Sequence, residues 1–228
     1  MSLVENIRKI QKKGLFPVIS ELKIRSKKRG DLLKGRDPLC LVKEMEKCPV
    51  AGISVVTERR NFGGSIELLK KVVSAVSLPV LHKDFIEDTY QIKESSKAGS
   101  SAILLISSIL SRERLEILVE EAKRCGLEVL MEVHTKDDIE KIKDMDFDLL
   151  GINNRDIKIL ETDDTGVEHT ERLIKECPKK VPIISESGIR GKDDVIRVKK
   201  AGADAVLVGT AVMLSSDIER FLKSLIFI

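Results

Sequence analysis

Glu21 and Lys23, Lys83 and Asp84, Glu132, Asn153 and Arg155, and Glu186 with Ser187 are the residues whose types and spacing could do acid–base chemistry on a small anion. Carboxylates and ammonium groups trade protons with a reacting molecule, and close neighbours set how readily they do so. Residues two apart on an extended segment point to one side, so Glu21 and Lys23 can face the same site and tune each other. Gly188 and the pair Gly209-Thr210 offer something different. Backbone N–H groups approach an anion closely only where no side chain intervenes, and a short following helix would add its positive N-terminal end. A phosphate is the expected ligand there. Phe62, Phe85 and Leu104 could supply apolar walls, although core packing accounts for each of them at least as well. His82 would point away from Lys83, His134 follows Glu132 in a loop and His169 lies in a polar helix. With no Ser or Cys nucleophile beside them, none is given a catalytic role.

Such residues need a scaffold that brings distant segments to one end. Eight short apolar runs rich in β-branched residues recur along the chain, each followed by a stretch of helical periodicity. They are Pro17 to Leu22, Gly52 to Val56, Pro79 to His82, Ser101 to Ile106, Glu128 to Glu132, Leu149 to Asn153, Pro182 to Ser185 and Ala205 to Val208. Each chemically interesting residue above falls at or just beyond the C-terminal end of one of these runs. The helices carry their own punctuation: Asp37-Pro38 as N-cap and first helical residue, and Thr135 with Asp138 and Ser216 with Glu219 at capping-box spacing. Leu115, Leu118, Val119 and Ala122 form one apolar stripe, and Gly99, Gly126 and Gly202 follow helical runs. An open doubly wound sheet would need a Gly-rich turn after its first strand, where the chain instead has Lys23-Ile-Arg-Ser-Lys-Lys-Arg-Gly30. The pattern predicts a single α/β domain over 1–228, a (β/α)8 TIM barrel with a short N-terminal helix, whose site lies at the strand C-termini. Charged rings at strand ends also occur without catalysis, and for any one residue that is the better account, but their shared position at one end of six strands favours a site.

Forty basic and thirty-seven acidic residues give a net charge of +3, and the two signs are interleaved, so no broad cationic face for nucleic acid is expected. The absence of tryptophan and the lone Tyr90 argue against base-stacking platforms. Cys40, Cys48, Cys125 and Cys177 show no metal-binding spacing and read as buried or half-buried thiols in a reducing cytosol, so no metal is expected. The longest apolar runs are too short to span a bilayer, and a cytoplasmic location with no membrane contact is the expectation.

Six strings taken together resemble the indole-3-glycerol-phosphate synthase family. They are Ile19-Ser-Glu-Leu-Lys23 with Ser26, Leu81-His-Lys-Asp-Phe85, Leu130-Met-Glu-Val-His134, Gly151-Ile-Asn-Asn-Arg-Asp156, Ser185-Glu-Ser-Gly-Ile189 and Val208-Gly-Thr210. The resemblance implies ring closure of 1-(2-carboxyphenylamino)-1-deoxyribulose 5-phosphate with loss of carbon dioxide and water, without a metal or organic cofactor. It implies Lys83 as general acid, and Glu132, Glu21 and Lys23 as the acid and base of later steps, their roles undivided. Asn153, Arg155 and Glu186 would then hold polar substrate groups, with Ser26, Phe62, Phe85 and Leu104 around the substrate and Ser187, Gly188, Gly209 and Thr210 on its phosphate. Burial and neighbouring Arg or Lys are expected to lower the affinity of Lys83 for its proton.

The chain departs from the family in three places. Lys27-Lys-Arg29 follows Ser26 where a proline is usual, and Asn154 and Thr210 stand where serine or threonine, and serine, are common. Only about sixteen residues precede the first strand, where the family often has a longer extension covering the aromatic end of the substrate. Another phosphorylated-sugar isomerase or lyase, and a non-catalytic phosphate-binding protein, are the competing functions. The Glu21, Lys23, Lys83 and Glu132 set speaks against both.

Overall fold

The eight apolar runs form eight strands because each is short, β-branched and flanked by a helix that covers its outer face. They are β1 (Val18–Leu22), β2 (Gly52–Val56), β3 (Val80–Lys83), β4 (Ala102–Ile106), β5 (Glu128–Val133), β6 (Leu149–Asn153), β7 (Ile183–Glu186) and β8 (Ala205–Val208). In the computed structural model, which describes residues 2–155 and 166–228, every strand pairs in parallel with its neighbours and β8 closes on β1. The fold is the expected (β/α)8 barrel. Asp156, the last residue of one of the family-like strings, lies outside the described residues.

Alternation along the strands sorts two cores. Val18 and Leu22, Ile53 and Val55, Ile103 and Leu105, Val129 and Met131, and Leu150 and Ile152 face the helices and join the larger core. Ile19, Leu81, Leu104, Leu130, Leu149, Ile184 and Leu207 belong to the second core, inside the barrel. Two residues further along the same inward rows stand Glu21, Lys83, Ile106, Glu132, Gly151, Glu186 and Gly209. The interior therefore changes from apolar to ionic within one step, toward the strand C-termini.

The opposite end is sealed by the N-terminal helix (Leu3–Lys12), whose Leu3, Ile7 and Ile10 are buried in the same interior core. Gly52 makes room for it: a Cβ there would lie 2.8 Å from Leu3 Cδ1 and 2.8 Å from the Pro79 carbonyl. The Glu128 carboxylate, at the start of β5, accepts from Leu3 N at 2.6 Å and from the Ser2 hydroxyl, so strand and helix are tied at the N-terminal face. This helix is the floor of the barrel, not a cover for its mouth.

Asp37 caps the helix that begins at Pro38, and Thr135 with Asp138 forms a capping box, both as expected. The last helix differs: its cap is Asp217, whose carboxylate accepts from Arg220 N, while Ser216 is not the cap. Both residue types cap well, and the Ser215 hydroxyl settles the choice by accepting from Asp217 N at 3.2 Å, which fixes the chain one residue later than the Ser-x-x-Glu spacing suggests. Cys48 and Cys177 are buried and Cys125 is half-buried, but Cys40 is exposed, against the expectation for that thiol, because it sits in the first turn of a helix on its solvent side.

Candidate active site

Glu21 and Lys23 leave β1 on its inward face and pair at 3.3 Å, both almost fully buried. Gly209, at the end of β8, is what admits Glu21: a Cβ on residue 209 would lie 2.3 Å from Glu21 Oε1. Across the barrel, Lys83 Nζ reaches Glu186 Oε2 at 3.0 Å and Glu132 Oε2 at 3.3 Å. The Glu186 carboxylate occupies the space that a side chain on Gly151 would need, since a Cβ there would meet Glu186 Oε1 at 2.0 Å. Two strand glycines thus exist for two acids. Among the described residues Glu132 Oε1 and Glu186 Oε1 are buried with no hydrogen-bond partner, and His134 Nε2 approaches the first to 3.5 Å.

The electrostatics differ from expectation. Burial alone would lower the proton affinity of Lys83, but Glu186, Glu132 and Glu21 outweigh it and hold the ammonium well above the ordinary lysine range. The largest charged influences on it are carboxylates, and they raise its proton affinity where a lowering by Arg or Lys is the expectation from sequence. Glu186 moves the other way: burial pushes its carboxyl up to about 7, against the opposing pull of Lys83.

These groups bound two adjoining cavities. The larger, of about 390 Å³, is lined by Glu21, Lys23, Ser26, Lys83, Arg155, Ser187, Gly188, Gly209 and Thr210, all anticipated from sequence. The smaller, of about 50 Å³, is walled by Phe62, Phe85, Leu104, Val56 and Ile106, with Glu132 and Asn153 at its polar edge. Lys23 and Lys83 line both. Lys23 also lies 5.3 Å from the Phe62 ring centroid, so the cation faces an aromatic surface on the apolar side. Asn153 turns its side-chain oxygen to Arg155 N at 3.0 Å. Glu186, anticipated on substrate, lines neither cavity and meets Lys83 from full burial instead.

Sequence reasoning passed over Lys28, Arg29 and Arg190, which also line the larger cavity. The signal for the first two lies in the Lys27-Lys-Arg29 run, since a cationic run in a loop beside an anion site itself points to the anion. His82 does face the helices, with Nε2 2.7 Å from Thr57 Oγ1 and Nδ1 2.6 Å from Ser95 Oγ. Among the described residues no group of three or more His, Cys, Asp or Glu side chains is placed to hold a metal ion. None of the described helices is long and apolar enough to cross a membrane.

Comparison with known proteins agrees with this geometry. The family model for indole-3-glycerol phosphate synthase matches residues 1–225. The chain is 43% identical over 220 residues to an indole-3-glycerol phosphate synthase of Thermococcus kodakarensis, covering 96% of this chain and 95% of that one. A protein of the same name from Pyrococcus furiosus is 42% identical over 219 residues, again covering 96% and 95%. One from Kineococcus radiotolerans is 41% identical over 209 residues, 92% of this chain and 75% of its own length. A barrel with this ionic mouth, matched along nearly its whole length, belongs to the indole-3-glycerol phosphate synthase family.

Proposed function

We propose that this chain closes the indole ring of 1-(2-carboxyphenylamino)-1-deoxyribulose 5-phosphate, giving indole-3-glycerol phosphate, carbon dioxide and water. The family is one of carboxy-lyases in tryptophan biosynthesis. The observation that carries the assignment to this chain is that Lys23 and Lys83 line both cavities. A substrate with an aromatic acid at one end and a phosphate at the other would place its ketone, the reacting carbon, between them.

The ring carbon bearing the carboxylate is a weak nucleophile, so protonating the ketone oxygen as the new carbon–carbon bond forms lowers the barrier. Lys83 is the acid in this reading. Glu186, Glu132 and Glu21 favour its charged form, and the oxygen draws the proton off only as negative charge develops there. Loss of carbon dioxide returns the bonding pair to the ring and restores aromaticity. The hydroxyl then leaves as water after taking a second proton, and a base removes the proton that completes the indole double bond. Glu132, Glu21 and Lys23 are the groups within reach for those last transfers. Ser187, Gly188, Gly209 and Thr210 would hold the phosphate, with Arg155 nearby, while Phe62, Phe85 and Leu104 flank the aromatic ring.

Mixing the purified protein with the carboxyphenylamino-deoxyribulose phosphate should produce indole absorbance and carbon dioxide in equal amounts. Tight binding with neither product would instead favour a phosphate-ligand binder that has lost turnover. Isomerised sugar phosphate without decarboxylation would point to another barrel enzyme.

A further inference from the structure

Ser187 and Gly188 have φ of 62° and 72°, two successive residues in the left-handed region. Glycine adopts that conformation freely, but serine does so uncommonly and must be held there. Both residues line the larger cavity, as do Ile189 and Arg190 that follow. Tight turns of this kind can point successive N–H groups at an anion.

What holds Ser187 is a buried polar cluster centred on Asn154, which is 3% exposed. The two hydrogens of its Nδ2 are shared among the Ser187 carbonyl at 3.0 Å, the Glu186 carbonyl at 2.9 Å and Ser185 Oγ at 3.0 Å. Its Oδ1 accepts from Thr170 N at 2.9 Å and Thr170 Oγ1 at 2.9 Å. The orientation of the amide is determined by its partners: the Thr170 backbone N–H can only donate, and the two carbonyls can only accept. Thr170 Oγ1 and Ser185 Oγ, 2.8 Å apart, complete a ring of hydroxyls and amide in which each hydrogen has an acceptor. The Asn154 backbone N–H adds a second bond to the Glu186 carbonyl at 2.9 Å.

We propose that Asn154 is a positioning residue of the phosphate subsite, its amide clamping the Glu186 and Ser187 carbonyls so that the Ser187-Gly188 turn stays left-handed when the site is empty. The inference rests on the reading of this loop as the phosphate site. Preformed N–H groups bind an anion without first ordering the loop, so losing the clamp weakens binding at the phosphate more than it slows chemistry at Lys83.

Titrating inorganic phosphate into the wild type, Asn154→Asp, Asn154→Ser and Thr170→Val, with thermal midpoints measured alongside, tests this directly. Asn154→Asp keeps the volume and the acceptor toward Thr170 but offers the carbonyls no hydrogen, and its dissociation constant should rise by about tenfold or more. Asn154→Ser retains one donor and should fall between. With the full substrate, KM should rise by more than kcat falls. Should Asn154→Asp fail to fold, Thr170→Val, which removes one of the two hydrogen bonds on the amide oxygen and leaves the Ser185 hydroxyl without its Thr170 partner, should still weaken phosphate binding several-fold. A folded Asn154→Asp or Thr170→Val that binds phosphate as tightly as the wild type, with only its midpoint lowered, overturns the proposal and leaves the phosphate reading intact. A wild type that does not bind phosphate at this loop removes the phosphate reading, and the proposal with it.

Discussion

Exchanging Lys83 for methionine keeps the bulk of the side chain and deletes the proton, which separates acid catalysis from packing. Turnover should fall by about two to four orders of magnitude while product still binds, as single-turnover ring closure would report. Lys83→Arg should also be poor, since guanidinium keeps the charge but does not release a proton near neutral pH. Undiminished ring closure in Lys83→Met would move the acid role to Lys23. Glu186 gives a second residue-scale expectation. Its carboxyl binds a proton up to about 7 in the folded protein, against an ordinary value of 4.5. Between those two values the folded state holds more protons than the unfolded one. Its contribution to stability is therefore full below about 4.5 and lost as pH rises through about 7. Denaturant titrations at several pH values should show the wild type losing stability over that window relative to Glu186→Gln; parallel curves would contradict the assignment.

Strands carry the acids, and what their neighbours lack matters as much as what they bear. A methyl group on Gly151 would sit 2.0 Å from Glu186 Oε1, on a carboxylate already anchored to Lys83. Gly151→Ala should therefore displace the Lys83–Glu186 pair, destabilise the fold by about 1–3 kcal/mol, as overpacking does, and lower kcat at least tenfold in the folded protein. An alanine variant with normal kcat would show that the pair has slack. Gly209 faces Glu21 in the same way, so a glycine is needed there for the acid alone. The elements themselves were readable because β-branched runs and caps are local signals: β2, β6 and β8 begin and end where the apolar runs do, and the others shift by about a residue. The placement of acids at one end was readable for the same reason. The partner of Glu186, the purpose of Gly151 and the clamp at Asn154 were not, because each is a contact between strands far apart in sequence, and periodicity says nothing about which side chains meet.

Across the whole barrel, holding the fold and doing chemistry fall at opposite ends. Leu3 is fully buried against the barrel interior at the closed end, so Leu3→Ala should cost about 2–5 kcal/mol of stability. Its kcat per folded molecule should stay near the wild-type value, which active-site titration below the unfolding transition would measure. A large fall in kcat would mean that the two ends communicate through the core. The floor formed by the N-terminal helix, above the packed interior of Ile19, Leu81, Leu130 and Leu207, has a consequence for traffic. Among the described residues, the way in and out is by the mouth. Indolic product must back out along the route its precursor used, and the next precursor waits until it has gone. Added indole-3-glycerol phosphate should therefore inhibit in strict competition with substrate, raising apparent KM and leaving maximal velocity unchanged, and the rate of its departure sets a ceiling on turnover that faster chemistry at Lys83 could not lift.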